Sequence, residues 1–281
     1  MVTLHQGECE EVLKGIPSES VDMVFADPPF NVGIRYAGKS GDKREDYYAW
    51  CSEWIAECFR VLKPTGTFYL MTITRHLESL YPLMKRGGIF VNQINWRNVA
   101  STSDKRRFWN EYQPILMYGK TAGYKFNTYA QRRVIEQKNM RWGGYSTEPK
   151  GQLLDYWNDI PFVYAGSISH GEAILKAGTN EKAHPAQMPV GLASRCILFS
   201  TDEGDTVLDP FNGSGTTGAA CLNLNRDFIG IEREQQYIEM ARERWAKISM
   251  QASFLQPANK VLQPTADHAE SENHSHQPGL L

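Results

Sequence analysis

The sequence predicts an α/β fold in which a mostly parallel, twisted sheet is flanked by helices. Apolar runs of strand length alternate along the chain with stretches whose apolar residues recur at helical spacing. This alternation is typical of strand-helix-strand units, which build parallel sheets. The chain has 281 residues, 41% of them hydrophobic and 22% charged, which is enough for one large core or two small ones.

The first part of the chain contains strand and helix signals in turn. Short apolar runs predict the strands, and apolar residues three or four positions apart predict the helices. Pro64 and Gly66 mark the end of the first long helix, and paired glycines close the second. In chain order the predicted elements are the strand 21–26, the helix 44–66, the strand 67–73, the helix 75–88 and the strand 89–96.

The pattern is lost in residues 121–180, where Gly, Asn, Tyr and basic residues are frequent without a sustained period. We interpret this segment as a loop-rich recognition insert rather than more of the sheet. It divides residues 1–120 from residues 181–250, and the polar tail 251–281 is predicted to be disordered. The second part is predicted to contain the helix 188–200, the strand 205–211, the helix 215–225, the strand 226–234 and the helix 234–250.

Charge is unevenly distributed although the net charge is only −2. Between Arg97 and Lys150 there are eleven Lys or Arg against four acids, interleaved with aromatic residues. Such a segment suits phosphate contacts and base stacking, although a solvated charged face over a small core would look similar. The candidate nucleic-acid contacts are Arg97, Lys105, Arg106, Arg107, Lys125, Arg132, Arg133 and Arg141.

Other sequence features exclude several classes of protein. No run approaches the ~18 apolar residues of a membrane span, and the first residues lack a signal-peptide pattern, so we expect a cytoplasmic protein without membrane contact. The five cysteines are scattered and form no CxxC pair, and the tail histidines have no ligand partners at metal spacing. We therefore expect neither a disulfide nor a metal site.

Two strand ends carry chemical signals. "VDMVFADPPFNVG" (21–33) runs from a strand into an acid, two prolines, a ring and a glycine, which alone could simply be a turn. "VLDPFNGSGTTGAA" (207–220) is a strand, a glycine turn and a helix start, whose free amides favour an anionic group. Glu232 ends the next strand, as does the acid that accepts hydrogen bonds from a ribose diol. The second signal therefore predicts a nucleoside cofactor.

"DPPF" (27–30) resembles the catalytic motif of the amino-group DNA methyltransferases, and "DPFNGSGTT" (209–217) with "FIGIE" (228–232) resembles their S-adenosylmethionine motifs. The catalytic motif comes first here, as in the permuted β class, where a target-recognition region lies between the two. The similarity covers about residues 3 to 247, including "VLKPTGTFYL" (61–70) and "EKAHPAQMPVGLASRCI" (181–197).

The resemblance implies a Rossmann-like methyltransferase fold that binds S-adenosyl-L-methionine and double-stranded DNA and modifies adenine N6. Asp27 and the Pro28 carbonyl would accept the two amine hydrogens of a flipped base that stacks on Phe30. Many members have Lys where this chain has Met188, so Lys182 or His184 would bind the methionine carboxylate. The implied catalytic residues are Asp27, Pro28, Pro29 and Phe30. The implied cofactor residues are Asp209, Pro210, Phe211, Gly213, Ser214, Gly215, Thr216, Glu232, Lys182 and His184.

Other functions remain open from the sequence. The nearest alternative is methylation of cytosine N4, since the motif differs from the adenine type mainly in its first residue. An enzyme of the same fold acting on RNA or on a protein amide is less favoured, because the order of the motifs and the basic insert point to DNA. A non-catalytic DNA-binding module would not need both motifs intact. The β-class resemblance is compatible with a homodimer and with a cognate restriction endonuclease.

Overall fold

The computed structural model describes residues 1–36, 42–98, 106, 108, 110–128, 153–161, 163, 172–174 and 183–255, with side chains as far as residue 250. The strands are β1 (Val2–Gln6), β2 (Val21–Ala26), β3 (Leu62–Met71), β4 (Ile89–Arg97), β5 (Tyr112–Gly119), β6 (Tyr156–Trp157), β7 (Thr206–Asp209) and β8 (Asp227–Glu232). The helices are α1 (Cys9–Lys14), α2 (Tyr47–Val61), a 3-10 turn (Thr74–His76), α3 (Leu77–Gly87), α4 (Val190–Ser200), α5 (Thr216–Asn223) and α6 (Gln235–Leu255).

The described strands form one sheet in the order β1-β8-β7-β2-β3-β5-β4-β6. Every neighbouring pair is parallel except the two that involve β5, which is antiparallel to both β3 and β4. The predicted α/β fold with a mostly parallel sheet is confirmed. β5 can be antiparallel because the chain leaves β4 and enters β5 at the same edge of the sheet, without a crossover helix.

Helices cover both faces of the sheet, and each face has its own core. Helices α1 to α3 pack on one face with Val24 and Leu70, and helices α4 to α6 pack on the other with Met23 and Tyr69. β2 lies in the middle and is buried along its whole length. This explains its unbroken apolar run, because a central parallel strand must be apolar on both faces. All five cysteines are buried and form no disulfide.

Two strands lie outside the predicted pattern. β5 was not predicted, because Pro114 stands inside its apolar run and proline argues against a central strand. β6 lies inside the segment 121–180 and pairs with β4 at the end of the sheet, so part of this segment does extend the sheet. Residues 125–127 also dock on the body, through backbone hydrogen bonds to Thr65 and Phe199.

The last helix continues beyond its predicted end. Helix α6 runs to Leu255, five residues into the predicted disordered tail, and residues 256–281 lie outside the described part. Within the described residues, no helix combines the length and apolar character that a membrane crossing requires.

Candidate active site

The ends of β1, β2, β7 and β8 surround an open cleft of about 950 Å³ at the carboxyl edge of the sheet. Ligands of open α/β sheets bind at this edge. Residues 27–30 line the cleft. Most of the predicted cofactor residues line it as well, namely Asp209, Pro210, Phe211, Gly213, Ser214, Thr216, His184 and Glu232. The two sequence motifs, 182 residues apart at Asp27 and Asp209, therefore meet at one site.

The glycine loop between β7 and α5 requires its glycines. Gly213 and Gly215 have φ of 49° and 79°, in the left-handed region that side chains disfavour. A Cβ on Gly215 would lie 2.7 Å from Ala241 Cβ, and one on Gly213 would lie 3.1 Å from His184 Nε2. Trp245 Nε1 donates to the Gly215 carbonyl at 2.8 Å and holds the loop from behind. The backbone can therefore approach a ligand in the cleft closely.

Asp209 anchors this loop from its buried position at the end of β7. Its carboxylate accepts hydrogen bonds from the Phe211 amide at 2.9 Å and the Thr217 hydroxyl at 2.6 Å. Burial raises the pKa of Asp209 to about 7, although these two hydrogen bonds act in the opposite direction. Asp209 therefore shapes the loop and places a carboxyl group beneath the cleft.

Glu232 ends β8 on the opposite side of the loop. Its carboxylate accepts hydrogen bonds from the Gly213 amide at 2.8 Å and the Glu234 amide at 2.9 Å. Burial raises its pKa, while these amides favour the ionised form. A carboxylate has about four acceptor positions, so Glu232 retains capacity for the two hydroxyls of a ribose. The acid predicted from the sequence thus also fixes the loop.

Asp27 and Pro28 present acceptors that the fold does not use. The Asp27 carboxylate accepts no hydrogen bond from the described residues, and neither does the Pro28 carbonyl. Burial raises the pKa of Asp27 well above its usual range, and the negative charge of Asp209 raises it further. Both acceptors lie at the cleft, where an amine with two hydrogens would satisfy them.

Aromatic residues form a wall of the cleft that the sequence did not predict. His184 packs between Tyr237, at 4.6 Å between ring centroids, and Tyr36, at 5.9 Å. Burial raises the pKa of Tyr36, and the charge of Asp27 adds to this effect. Trp50 lines the cleft from α2 and packs on the Phe211 ring at 5.6 Å. Its helical spacing marked it only as a core residue.

The place of the missing lysine has an unexpected neighbour. Met188 is buried and lines the cleft, and its carbonyl accepts a hydrogen bond from Thr216 Oγ1 at 3.3 Å. Arg244 on α6 donates to Thr216 Oγ1 at 2.9 Å, and its pKa is lowered by burial. A guanidinium therefore lies one side chain behind the cleft at the start of α5. Lys182, predicted to bind the cofactor carboxylate, lies outside the described residues.

The predicted DNA contacts fall into three groups. Arg97 ends β4 at the same edge as the cleft, is half exposed and pairs with Glu111 at 2.7 Å, and Arg106 is exposed. Lys125 lies at the opposite edge, and its ammonium pairs with Asp205 at 2.5 Å and Asp202 at 2.9 Å. This placement argues against DNA contact by Lys125, because its charge is neutralised within the fold. The remaining residues lie outside the described part, namely Lys105, Arg107, Arg132, Arg133 and Arg141.

Solved structures with similar folds belong to DNA methylases. The M1.HpyAVI complex with SAM is 25% identical, with a TM-score of 0.59 over 87% of this chain and 99% of that one. The DNA modification methylase TTHA0409 from Thermus thermophilus, in complex with S-adenosyl-L-methionine, is 26% identical, with a TM-score of 0.60 over 88% of this chain and 96% of that one.

Curated relatives agree with the structures. The DNA adenine methyltransferase YhdJ from Escherichia coli (strain K12) is 36% identical over 250 residues, which are 86% of this chain and 82% of the relative. The Type II methyltransferase M.HpaI from Haemophilus parainfluenzae is 34% identical, over 83% of this chain and 71% of the relative. The N6_N4_Mtase family model, described as DNA methylase, matches residues 21–243. The chain therefore belongs to the N6/N4 DNA methylase family.

Proposed function

We propose that this chain transfers the methyl group of S-adenosyl-L-methionine to the exocyclic N6 amine of a flipped adenine in a specific DNA sequence. One observation supports this most directly. The unused acceptors of Asp27 and Pro28 share a cleft with a glycine loop and with Glu232. An amine binding site and a nucleoside binding site are therefore adjacent, which is the arrangement that amine methylation requires.

The residues of the cleft fit S-adenosyl-L-methionine. Glu232 can accept hydrogen bonds from the ribose hydroxyls, and a Cβ on Gly213 or Gly215 would meet its neighbours, so the loop is built for a bare backbone. The α5 amides and the Arg244 guanidinium behind Thr216 favour the carboxylate end. When bound, this cofactor supplies an electrophilic methyl group on a positively charged sulfur.

The residues of the catalytic loop would activate the amine. The exocyclic amine of adenine is a weak nucleophile, because its lone pair is delocalised into the ring. Asp27 and the Pro28 carbonyl accept its two hydrogens, which favours a pyramidal nitrogen with an available lone pair. Phe30 offers the flipped base a flat surface for stacking, and the ionised Asp27 stabilises the positive charge that develops on the nitrogen. Positioning of this kind can contribute ~7 to 11 kcal/mol in favourable cases.

Adenine is the favoured base. YhdJ, the relative with 36% identity, is named a DNA adenine methyltransferase. The first motif residue is Asp27, which in the resemblance accompanies adenine, so cytosine N4 is not favoured. A non-catalytic module would not need to leave two acceptors unpaired in a cleft, because unpaired buried polar groups cost stability.

Partners remain proposals. We propose Arg97, Arg106 and the basic residues outside the described part as contacts to the DNA backbone, because phosphate contacts dominate affinity for DNA. A cognate restriction endonuclease is compatible with the name of M.HpaI, a Type II methyltransferase. A homodimer rests on the β-class resemblance, and a cytoplasmic location follows from the proposed DNA substrate.

The experiment supplies S-adenosyl-L-methionine with a labelled methyl group to the purified protein. Its substrates are DNA from a methylation-deficient bacterium and RNA transcribed from the same DNA. We expect label in the DNA and none in the RNA. Label in the RNA alone would overturn the substrate class, and no label in either, with cofactor binding intact, would overturn catalysis.

A further inference from the structure

We infer that His76 is a positioning residue for the reaction, fixing the loop after Asp27 so that the Phe30 ring and the Pro28 carbonyl face the base. This inference rests on the proposed function and adds a group that neither sequence motif contains. His76 lies 46 residues beyond Phe30, at the end of the 3-10 turn that follows β3. It contacts the loop from the body of the fold, not from the cleft.

The hydrogen bonds of His76 determine its tautomer. The ring is buried, with 4% of its surface exposed, and Nε2 lies 2.8 Å from the Phe30 carbonyl. A carbonyl only accepts, so Nε2 carries the proton. In the neutral ring Nδ1 is then an acceptor, and the Tyr48 hydroxyl donates to it at 2.8 Å. Burial lowers the pKa of His76, and the neighbouring Arg75 lowers it further, so the neutral ring is favoured.

The neighbours of His76 hold the residues on either side of Phe30. The Tyr47 hydroxyl donates to the Pro29 carbonyl at 3.0 Å, and the Arg75 guanidinium donates to the Asn31 carbonyl at 3.0 Å. Asn31 has a φ of 56°, in the left-handed region, so the loop needs external support to keep this conformation. Three consecutive carbonyls are thus bound to the body of the protein.

The Pro28 carbonyl, directly before these three, accepts no hydrogen bond from the described residues. The ring of Pro29 fixes its own φ and removes an amide hydrogen, so this peptide has little freedom once the Pro29 carbonyl is bound. The fold therefore satisfies every carbonyl from 29 to 31 and leaves Pro28 for the substrate. A histidine that only filled the core would not account for this distribution of hydrogen bonds.

The chemistry of the contact identifies a conservative replacement. A glutamine at position 76 could donate from Nε2 to the Phe30 carbonyl and accept from Tyr48 through Oε1. A leucine of similar size can do neither. The pair His76→Gln and His76→Leu therefore separates the hydrogen bonds from the packing. Tyr48→Phe removes the second hydrogen bond at a side chain that is 39% exposed, with little effect on the core.

The experiment measures kcat and KM for unmethylated DNA, the Kd for S-adenosyl-L-methionine and the thermal unfolding of the full chain. We expect His76→Leu to lower kcat at least tenfold with a cofactor Kd within about twofold of wild type, and His76→Gln to recover to within about threefold of the wild-type kcat. Tyr48→Phe should lower kcat severalfold. Tyr81→Phe is the matched control, because its hydroxyl donates to Gln93, away from the loop, and kcat should not change.

Three results would overturn the inference. They are a full kcat in His76→Leu, a His76→Gln variant no better than His76→Leu, and an equal loss of kcat and cofactor affinity. If His76→Leu does not fold, Tyr48→Phe compared with Tyr81→Phe decides the question, and equal kcat in the two would contradict the inference. A wild-type protein that transfers no methyl group to DNA would instead refute the proposed function, so the two failures are distinguishable.

Discussion

Replacing Asp27 by Asn tests the catalytic role of its charge with almost no change of shape. Asn keeps one acceptor oxygen for an amine hydrogen but cannot stabilise the positive charge that develops on the nitrogen during methyl transfer. The carboxylate is unpaired among the described residues, so no hydrogen bond within the described fold is lost. We therefore expect the variant to fold and to lose activity.

The size of the loss follows from the electrostatics of the site. A carboxylate about 4 Å from a developing unit charge, at an effective dielectric constant of about 20, contributes about 4 kcal/mol. A barrier higher by about 4 kcal/mol corresponds to a rate lower by about 10³-fold. Burial and Asp209 raise the pKa of Asp27, so ionising it is unfavourable. Removing the charge should leave the melting temperature unchanged or higher.

The assay is a single-turnover measurement of methyl transfer to unmethylated DNA, with calorimetry for cofactor affinity and for unfolding. The control is Asp202→Asn, which removes an exposed carboxylate at the opposite edge of the sheet and should leave the transfer rate unchanged. An Asp27→Asn variant that transfers methyl within tenfold of wild type would refute the reasoning. A variant that lost cofactor binding in proportion would assign Asp27 to the cofactor site instead.

Three further predictions concern the rest of the site. Glu232→Gln should weaken S-adenosyl-L-methionine by about 10- to 100-fold, since a hydrogen bond to a charged group contributes about 1.5–3 kcal/mol, and should weaken 5′-methylthioadenosine, which keeps the ribose, equally in calorimetry. The transfer rate should fall as the pH is lowered, because the reaction needs ionised Asp27, and Asp209→Asn should move this fall to lower pH in a pH–rate profile by removing the like charge. Lys125→Met should leave DNA affinity unchanged in a filter-binding titration and lower stability by up to about 1 kcal/mol, since its partly exposed ion pairs lie away from the cleft.

The positions of the motifs could be predicted from the sequence for a geometrical reason. The strands that end at Asp27, Asp209 and Glu232 are parallel, so their carboxyl ends lie at one edge of the sheet. Once the strands are recognised, the three acids must be near one another. The glycines of the loop were predictable as well, because few other residues adopt a positive φ.

The support of the catalytic loop could not be predicted in this way. His76 and Tyr47 contact the loop only because α2 and the turn after β3 pack beside it, and the helical spacing of Tyr47 is equally typical of a core residue. Lys125 shows the opposite error, because a basic residue in a basic segment is bound by Asp205. Side-chain partners distant in the chain decide such roles, and no local pattern encodes them.

The central claim is that this cleft methylates the N6 amine of adenine in DNA. The most direct test is to digest DNA to nucleosides after incubation with the protein and S-adenosyl-L-methionine, and to identify the products by mass spectrometry. We expect N6-methyldeoxyadenosine with the wild-type protein and only a trace with Asp27→Asn. N4-methyldeoxycytidine as the sole product, or equal N6-methyldeoxyadenosine from both proteins, would contradict the account.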